Sequence, residues 1–429
     1  MSTQLQPQES PASALARPTL AARFKAIRAL TEELAAPLSP EDQMVQSCAE
    51  ASPVKWHRAH TTWFFETFLL QPHLKNYKCF DPAFRYLFNS YYNRVGEKPE
   101  RNTRSFISRP SAQEVAGYRK HVNENMSQLL SSSDVSAELA NLVELGLNHE
   151  QQHQELIVTD IKHALWSNPL RPQYRAANSK SRSANESVPL VPLHWIPFDG
   201  GICEIGHSGE GFCFDNELPR HKFFLQPYML ASRLVSNGEF LEFINDGGYQ
   251  RPELWLSDGW EQCRAASWRA PLYWEQREGE WHTFTLDGMR PLAMHEPVCH
   301  VSYFEADAFA RWSQARLPTE FEWEIAARNL PLTGNFLDSQ RLHPAAAHGA
   351  ALTQIFGDAW QWTASQYTAY PGYHAAEGAL GEYNGKFMCN QFVLRGGSCA
   401  TPQSHIRASY RNFFPPAARW QFSGIRLAK

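Results

Sequence analysis

At 429 residues the chain is long enough for two or more domains, each with a core of its own. Hydrophobic residues at 43%, charged residues at 20% and a formal charge of −4 without a long run of Lys or Arg describe a globular protein and argue against a nucleic-acid partner. No uninterrupted apolar stretch approaches the ~20 residues of a membrane span, so a membrane is excluded as a partner too.

Residues 1–18 are polar and proline-bearing and lack the apolar segment of a signal peptide, which predicts a disordered leader and a cytoplasmic protein. From 19 to 167 the text has mostly helical period and is broken by turn signals at Pro37 to Pro40, Ser52-Pro53 and Gly96 to Pro99, the pattern of a helical bundle. ARFKAIRALTEELAAPL reads as its first helix, KWHRAHTTWFFETFLL as a second, and a later one starts at the Ser111 to Glu114 capping box. Leu142, Leu145, Leu147, Leu156 and Ile157 surround the pentad His149-Glu150-Gln151-Gln152-His153, with no proline between Pro110 and Pro169, so the pentad is predicted to be helical.

Residues 168–193 are basic, rich in Ser and Asn and poor in hydrophobics, and read as a linker or long loop. Residues 194–429 carry short β-like pieces (WIPFDGGICEIGH, HKFFLQPYML), many Gly and Trp, and two evident helices, SNGEFLEFIN and YFEADAFARWSQA. The fold class is therefore α+β, a helical bundle followed by an irregular mixed domain. The eight cysteines form no CxxC pair, which favours reduced thiols over disulfides or zinc-thiolate sites.

The pentad is the most informative local feature. Two histidines four apart project from one helix face and can grip one divalent metal; two surface histidines are the plainer alternative. Read as HExxH, the pentad is also the pattern of a zinc protease with Glu150 as general base. In that reading a third ligand would lie further along the chain.

Several phrases of the second half occur together: NELPRHKFFLQPYMLASRLVSNGEF, PVCHVSYFEADAFARW followed by RLPTEFEWEIAAR, GDAWQWTAS, and VLRGGSCATPQSHIRASYRNFFPPAARWQFSGIRLA. They resemble the formylglycine-generating-enzyme (sulfatase-modifying factor) domain, which has a C-type-lectin-like fold. Formylglycine generation relies on a closely spaced cysteine pair, and Cys399 has no near partner, so that activity is not expected. The phrases KWHRAHTTWFFETF, LFNSYYN and LNHEQQHQEL of the first half resemble the DinB-like bundle of the ergothioneine-biosynthesis sulfoxide synthases.

The resemblance implies Fe(II) held by His60, His149 and His153, with room for a substrate nitrogen, a sulfur or selenium donor, and dioxygen. His57 shares a helix face with His60 and spacing alone does not separate the two, but the family's AHT phrase favours His60; His57 and Glu150 then stand behind the ligands or serve packing. It implies coupling of a thiol to the imidazole of hercynine, the trimethylated betaine of histidine, with sulfoxide formation. Tyr91 and Tyr92 match the paired tyrosines of the branch that takes free cysteine, one of them supplying a proton. Gln152 fits a hydrogen bond to the imidazole and Asn412 a contact to the same substrate. Phe413 and Phe414 would wall the pocket, aromatic faces that also suit a trimethylammonium group. Arg407 and Arg411 are candidate carboxylate partners, or pins of the lectin-like core.

Three places depart from the family's pattern. Glu50 replaces an aspartate that looks substrate-facing, RNTRSFISRP differs after the tyrosines, and Gln361 stands where glutamate is usual. A larger, uncharged donor would need different walls, and departures of this kind would supply them, so a selenosugar, as in selenoneine synthase, is the alternative to cysteine, which is the first expectation. An ovothiol-type synthase acting on histidine, a zinc hydrolase and a non-catalytic binding module rank lower. The chain gives no signal for an oligomeric state.

Overall fold

The computed structural model describes residues 18–131, 135–176, 191–209, 211–349 and 351–429. The leader expected at the N-terminus lies outside the described residues up to position 17. Thr19 starts α1 (Leu20–Ala35) by accepting the Ala22 amide through its side chain. Pro53 immediately precedes α2 (Val54–Phe65), at a helix end where a missing N–H breaks no bond. Every residue of α2 is buried, as a helix enclosed by others must be. It continues into a π-helical turn, Glu66–Leu70, whose Glu66 carboxylate accepts the hydroxyls of Tyr77 at 2.6 Å and Tyr118 at 2.7 Å.

Two short helices, α3 (Gln71–His73) and α4 (Phe84–Leu87), precede α5 (Ala112–Leu130), which opens on the expected reciprocal Ser111–Glu114 capping box. The 31-residue α6 (Ala137–Ser167) carries the histidine pentad. Helices α1, α5 and α6 pack around α2, over a core that includes Phe24, Trp63, Phe65, Tyr118 and Met126. A Cβ at Gly146 would meet Phe65 Cε1 at 2.8 Å, so glycine at this position lets α6 approach α2 closely.

The segment read as a linker begins as packed chain. The Tyr174 hydroxyl donates to the Leu34 carbonyl at 2.7 Å and its amide to the Leu286 carbonyl at 2.9 Å, tying residues 168–176 to both halves. One aromatic in a polar stretch gave too little period to reveal this; residues 177–190 lie outside the described residues.

The second half is built from short strands. β1 (Trp195–Phe198) pairs with β4 (Tyr228–Ala231), and β2 (Gly201–Ile205) with β3 (His221–Leu225), both antiparallel. β5 (Trp274–Arg277), β6 (Glu280–Thr285) and β7 (Gly288–Pro291) form an antiparallel meander. β8 (Trp360–Gln366), β9 (Phe392–Arg395), β10 (Asn412–Phe414) and β11 (Ser423–Gly424) make a sheet of order β10-β9-β8-β11, with β11 parallel to β8.

Besides the two expected helices, α7 (Asn237–Asn245) and α9 (Tyr303–Trp312), the structure holds α8 (Ser257–Ala265) and α10 (Glu320–Ala327). Both are about two turns long, too short for their periodicity to stand out. The mixed α+β class is as expected. The two halves meet in a seam where Val54, Ile157, Ile161 and Leu165 pack with Tyr273, Phe284 and Phe422. No helix of the described residues is long and apolar enough to cross a membrane.

Candidate metal centre

His60 from α2 and His149 and His153 from α6 bring one ring nitrogen each to within 4.8 Å of one another. Their ring centroids are 4.7 to 5.0 Å apart. His60 lies between two indoles, Trp56 at 4.5 Å and Trp63 at 5.6 Å, both nearly parallel to it. Burial, reinforced by the other imidazoles, holds His60 and His153 well below the usual histidine range, and burial takes His149 down to about 4. All three are therefore neutral near pH 7 and offer lone pairs.

The hydrogen bonds decide which nitrogen is bare. His60 Nδ1 is 2.6 Å from the Phe88 carbonyl, which can only accept; Nδ1 is protonated and Nε2 is free. Asp160 Oδ2 accepts the Ser52 amide at 2.8 Å and His57 Nε2–H at 3.0 Å. In neutral His57 this leaves Nδ1 as an acceptor, 2.8 Å from His153 Nδ1, so His153 donates there and keeps Nε2 bare. His149 makes no hydrogen bond among the described residues, and its Nδ1 is a buried polar atom without a partner. Three uncommitted imidazole nitrogens fit a divalent metal, with His57 and Asp160 behind one of them.

Glu150 points the other way. Its carboxylate accepts Arg28 Nη1 at 2.9 Å, Arg119 Nη2 at 3.0 Å and the Thr31 hydroxyl at 2.7 Å, inside the bundle. A carboxylate held by two guanidiniums is no general base at the histidine face, which removes the ground for the zinc-protease reading.

The histidines line a cavity of about 190 Å³ together with residues from both halves. Tyr91, Tyr92, Gln152, Asn412, Phe413, Phe414 and Glu50 all line it. The Tyr91 hydroxyl accepts Arg101 Nη1 at 2.7 Å, and its ring meets Phe387 edge-on. Tyr92 is buried against Trp63 and Phe68; burial raises its phenol, and its hydroxyl has no hydrogen-bond partner among the described residues. Gln152 Nε2 donates to the Tyr410 hydroxyl at 2.8 Å, and Phe413 stacks on Tyr367 at 4.0 Å.

Three residues expected at the substrate are occupied elsewhere. Gln361 is fully buried: Oε1 accepts Trp323 Nε1 at 2.8 Å and Arg426 Nε at 2.7 Å, while Nε2 donates to the carbonyls of Gln354 and Ile355. All its hydrogen-bonding capacity is used inside the core, and it does not line the cavity. Arg407 grips Glu217 and is likewise absent from the wall. Arg411 borders the cavity, but its guanidinium is paired with both oxygens of Glu320 at 2.9 and 3.0 Å and with the carbonyls of Asn216 and Thr368. Both arginines pin the second half, the alternative raised for them above.

Other wall residues were not foreseen. Arg104 is buried with its guanidinium 3.5 Å from the centre of the Trp56 ring, donating to the hydroxyls of Ser52 at 2.8 Å and Ser90 at 3.0 Å. It forms no direct ion pair among the described residues, and burial lowers it to about 9 against the raising charges of Tyr91 and Asp160. Arg101 also lacks a carboxylate partner there and holds the Tyr91 hydroxyl and the Glu50 carbonyl. Both lie in RNTRSFISRP, whose departure from the family pattern was the available signal. From the second half, Glu382 accepts the amides of Asn93 at 3.1 Å and Arg94 at 2.9 Å, clamping the loop just after the tyrosine pair.

A family model for the sulfatase-modifying factor enzyme 1-like domain matches residues 184–353 and 338–429. Hercynine oxygenase of Mycobacterium tuberculosis is 32% identical over 306 residues, covering 66% of this chain and 70% of that protein. Hercynine oxygenase of Mycolicibacterium thermoresistibile is 29% identical over 420 residues, covering 88% and 87%. Ergothioneine biosynthesis protein 1 of Schizosaccharomyces pombe is 30% identical over 231 residues, covering 51% and 28%.

Proposed function

We propose, from the premise that the chain belongs to the hercynine oxygenase family of oxidoreductases, that it joins the sulfur of cysteine to an imidazole carbon of hercynine at the expense of dioxygen. The carbon–hydrogen and sulfur–hydrogen bonds are lost, a carbon–sulfur bond and a sulfoxide form, and the second oxygen atom leaves as water. The observation that carries this reading is the uncommitted nitrogens of His60, His149 and His153 in the same cavity as the unpartnered phenol of Tyr92. Fe(II) held by the three histidines would supply the activation of dioxygen when bound.

The protein's own part is to bind, orient and manage one proton. Tyr92, raised by burial and without a hydrogen-bond partner among the described residues, holds a transferable proton in the cavity, while Tyr91 is held back by Arg101. The faces of Phe413, Phe414 and Trp420 suit the trimethylammonium group. Arg101 and Arg104 are cations that form no ion pair among the described residues, which suits two carboxylates, one on each amino-acid-like substrate. A neutral selenosugar would leave one of them unmatched, which favours cysteine. Glu50, at the same wall, suits the cysteine ammonium. Eight unpaired thiols fit a reducing compartment, the cytoplasm.

The test is a paired assay of protein loaded anaerobically with Fe(II), given hercynine and oxygen with cysteine in one vessel and a selenosugar in the other, products read by mass spectrometry. The expected result is coupling of cysteine, lost in His60→Ala. Coupling of the selenosugar alone would overturn the donor, and no product in either vessel would overturn hercynine as the acceptor.

A further inference from the structure

A chain of hydrogen bonds runs from α6 into the second half and back to the cavity. Its direction can be deduced from its far end. Asn148 Nδ2 lies 2.9 Å from the Glu144 carbonyl, an atom that can only accept, so the Asn148 amide is oriented with Oδ1 toward His405. Oδ1 is 2.9 Å from His405 Nδ1 and must accept from it, which places the proton of neutral His405 on Nδ1. His405 Nε2, 3.0 Å from the Tyr410 hydroxyl, is then an acceptor, and Tyr410 donates its O–H to it. The Tyr410 oxygen is thereby left to accept from Gln152 Nε2 at 2.8 Å.

Asn148, His405 and Tyr410 are all buried, so no solvent intervenes to reverse the order. Burial holds His405 well below the usual histidine range, in agreement with one protonated and one bare nitrogen, and it raises Tyr410, which keeps its proton. At the end of the chain Gln152 has its nitrogen committed. Its Oε1 has no hydrogen-bond partner among the described residues, and the side chain lines the cavity beside His153.

We propose that Asn148, His405 and Tyr410 are positioning residues that lock the amide of Gln152 so that it presents its oxygen, and only its oxygen, to the ligand, selecting an azole ring with an N–H directed at it. A glutamine free to rotate would accept from an N–H or donate to a bare nitrogen equally well. A locked one accepts only, and rejects a ring whose nitrogen is bare or alkylated. The selected class is an imidazole that keeps an N–H while its other nitrogen is turned to the metal. This inference rests on the proposed substrate for its ligand half and on the ligand-free protein alone for its polarity half.

Two measurements test it. In ligand-free protein with ring-15N histidine, long-range 1H–15N spectra should show His405 as the Nδ1–H tautomer; the Nε2–H tautomer would overturn the polarity whatever the substrate. In Fe(II)-loaded protein under nitrogen, calorimetry compares hercynine with its derivative carrying one further methyl on the ring nitrogen remote from the metal. The wild type should bind the methylated ring about 100-fold more weakly, and Tyr410→Phe, which releases the Gln152 amide, should narrow that ratio to about 10-fold or less. A variant that still binds hercynine with the ratio unchanged would overturn the proposal. Failure of hercynine to bind the wild type would overturn the substrate reading instead, leaving the His405 tautomer to decide the polarity.

Discussion

His57 and His60 compete on sequence for the same place in a metal triad, and the structure gives them different work that metal affinity can separate. Replacing His57 by Ala removes the atom 2.8 Å from His153 Nδ1 and leaves that N–H buried without an acceptor. Orphaning one buried donor costs about 1–3 kcal/mol, and loss of an outer partner of a metal-ligating histidine weakens binding about 10–100-fold. Asp160→Asn is milder, because the Ser52 amide still requires an acceptor at that oxygen and so preserves the bond to His57; only the charge is lost, and a weakening of about 10-fold or less follows. Under the proposed site His60 is itself a ligand, whose removal is more severe, so His60→Ala should abolish tight binding altogether. The assay is competition of Fe(II) between protein and a coloured chelator under nitrogen, with urea melts of the metal-free variants to confirm that each still folds. A folded His57→Ala protein with unchanged affinity would refute the relay, and one as crippled as His60→Ala would make His57 a ligand.

Tyr92→Phe should lower kcat by about 10²–10⁴ with hercynine affinity retained, whereas Tyr91→Phe, which loses only its bond to Arg101, should act mainly on the donor's KM; the reverse order in steady-state assays would transfer the proton role to Tyr91. Lys162 is a fully buried amine that contacts His300 Nε2 at 2.7 Å and the faces of Tyr273 and Phe422, and burial lowers it from 10.5 to about 8. Because the folded value is depressed, the penalty is complete below about 8 and disappears as pH rises toward 10.5. Lys162→Met should therefore be more stable than the wild type near pH 7, by on the order of 2 kcal/mol once the lost His300 contact is subtracted, and the gap should close at pH 10; a gap independent of pH in urea melts would refute the assignment. Gln361→Glu gives Arg426 a carboxylate inside the core without touching the cavity, so the preference between cysteine and a selenosugar should stay within about 2-fold, and a switch of donor in the paired assay would contradict the placement of Gln361.

The helical half was the more legible part. The pentad, the Ser111 capping box and the apolar stripe around His149 are local patterns, and local patterns survive in the text. The choice of His60 was not local: it depends on the Phe88 carbonyl and on the Asp160–His57–His153 relay, which join α2 to chain 28 residues later and to α6. Gln361 and Arg407 misled for a related reason, since a polar residue in a family phrase reads the same whether it faces a ligand or satisfies a buried neighbour, and only Trp323, Arg426 and Glu217 distinguish the two. Arg104 was hidden by the opposite circumstance, a buried cation that acquires meaning because it is held by two hydroxyls and forms no ion pair among the described residues. The short helices α8 and α10 escaped because eight or nine residues hold too few turns to display a period.

The shared helix α6 also constrains how the molecule can be made. Its histidines sit in the bundle, while Ile157, Ile161 and Leu165 find their neighbours among Tyr273, Phe284 and Phe422. During synthesis the whole bundle leaves the ribosome before those partners exist, and the far end of α6 then offers a greasy stripe to solvent. The first half made alone would keep that stripe uncovered and should be prone to clumping.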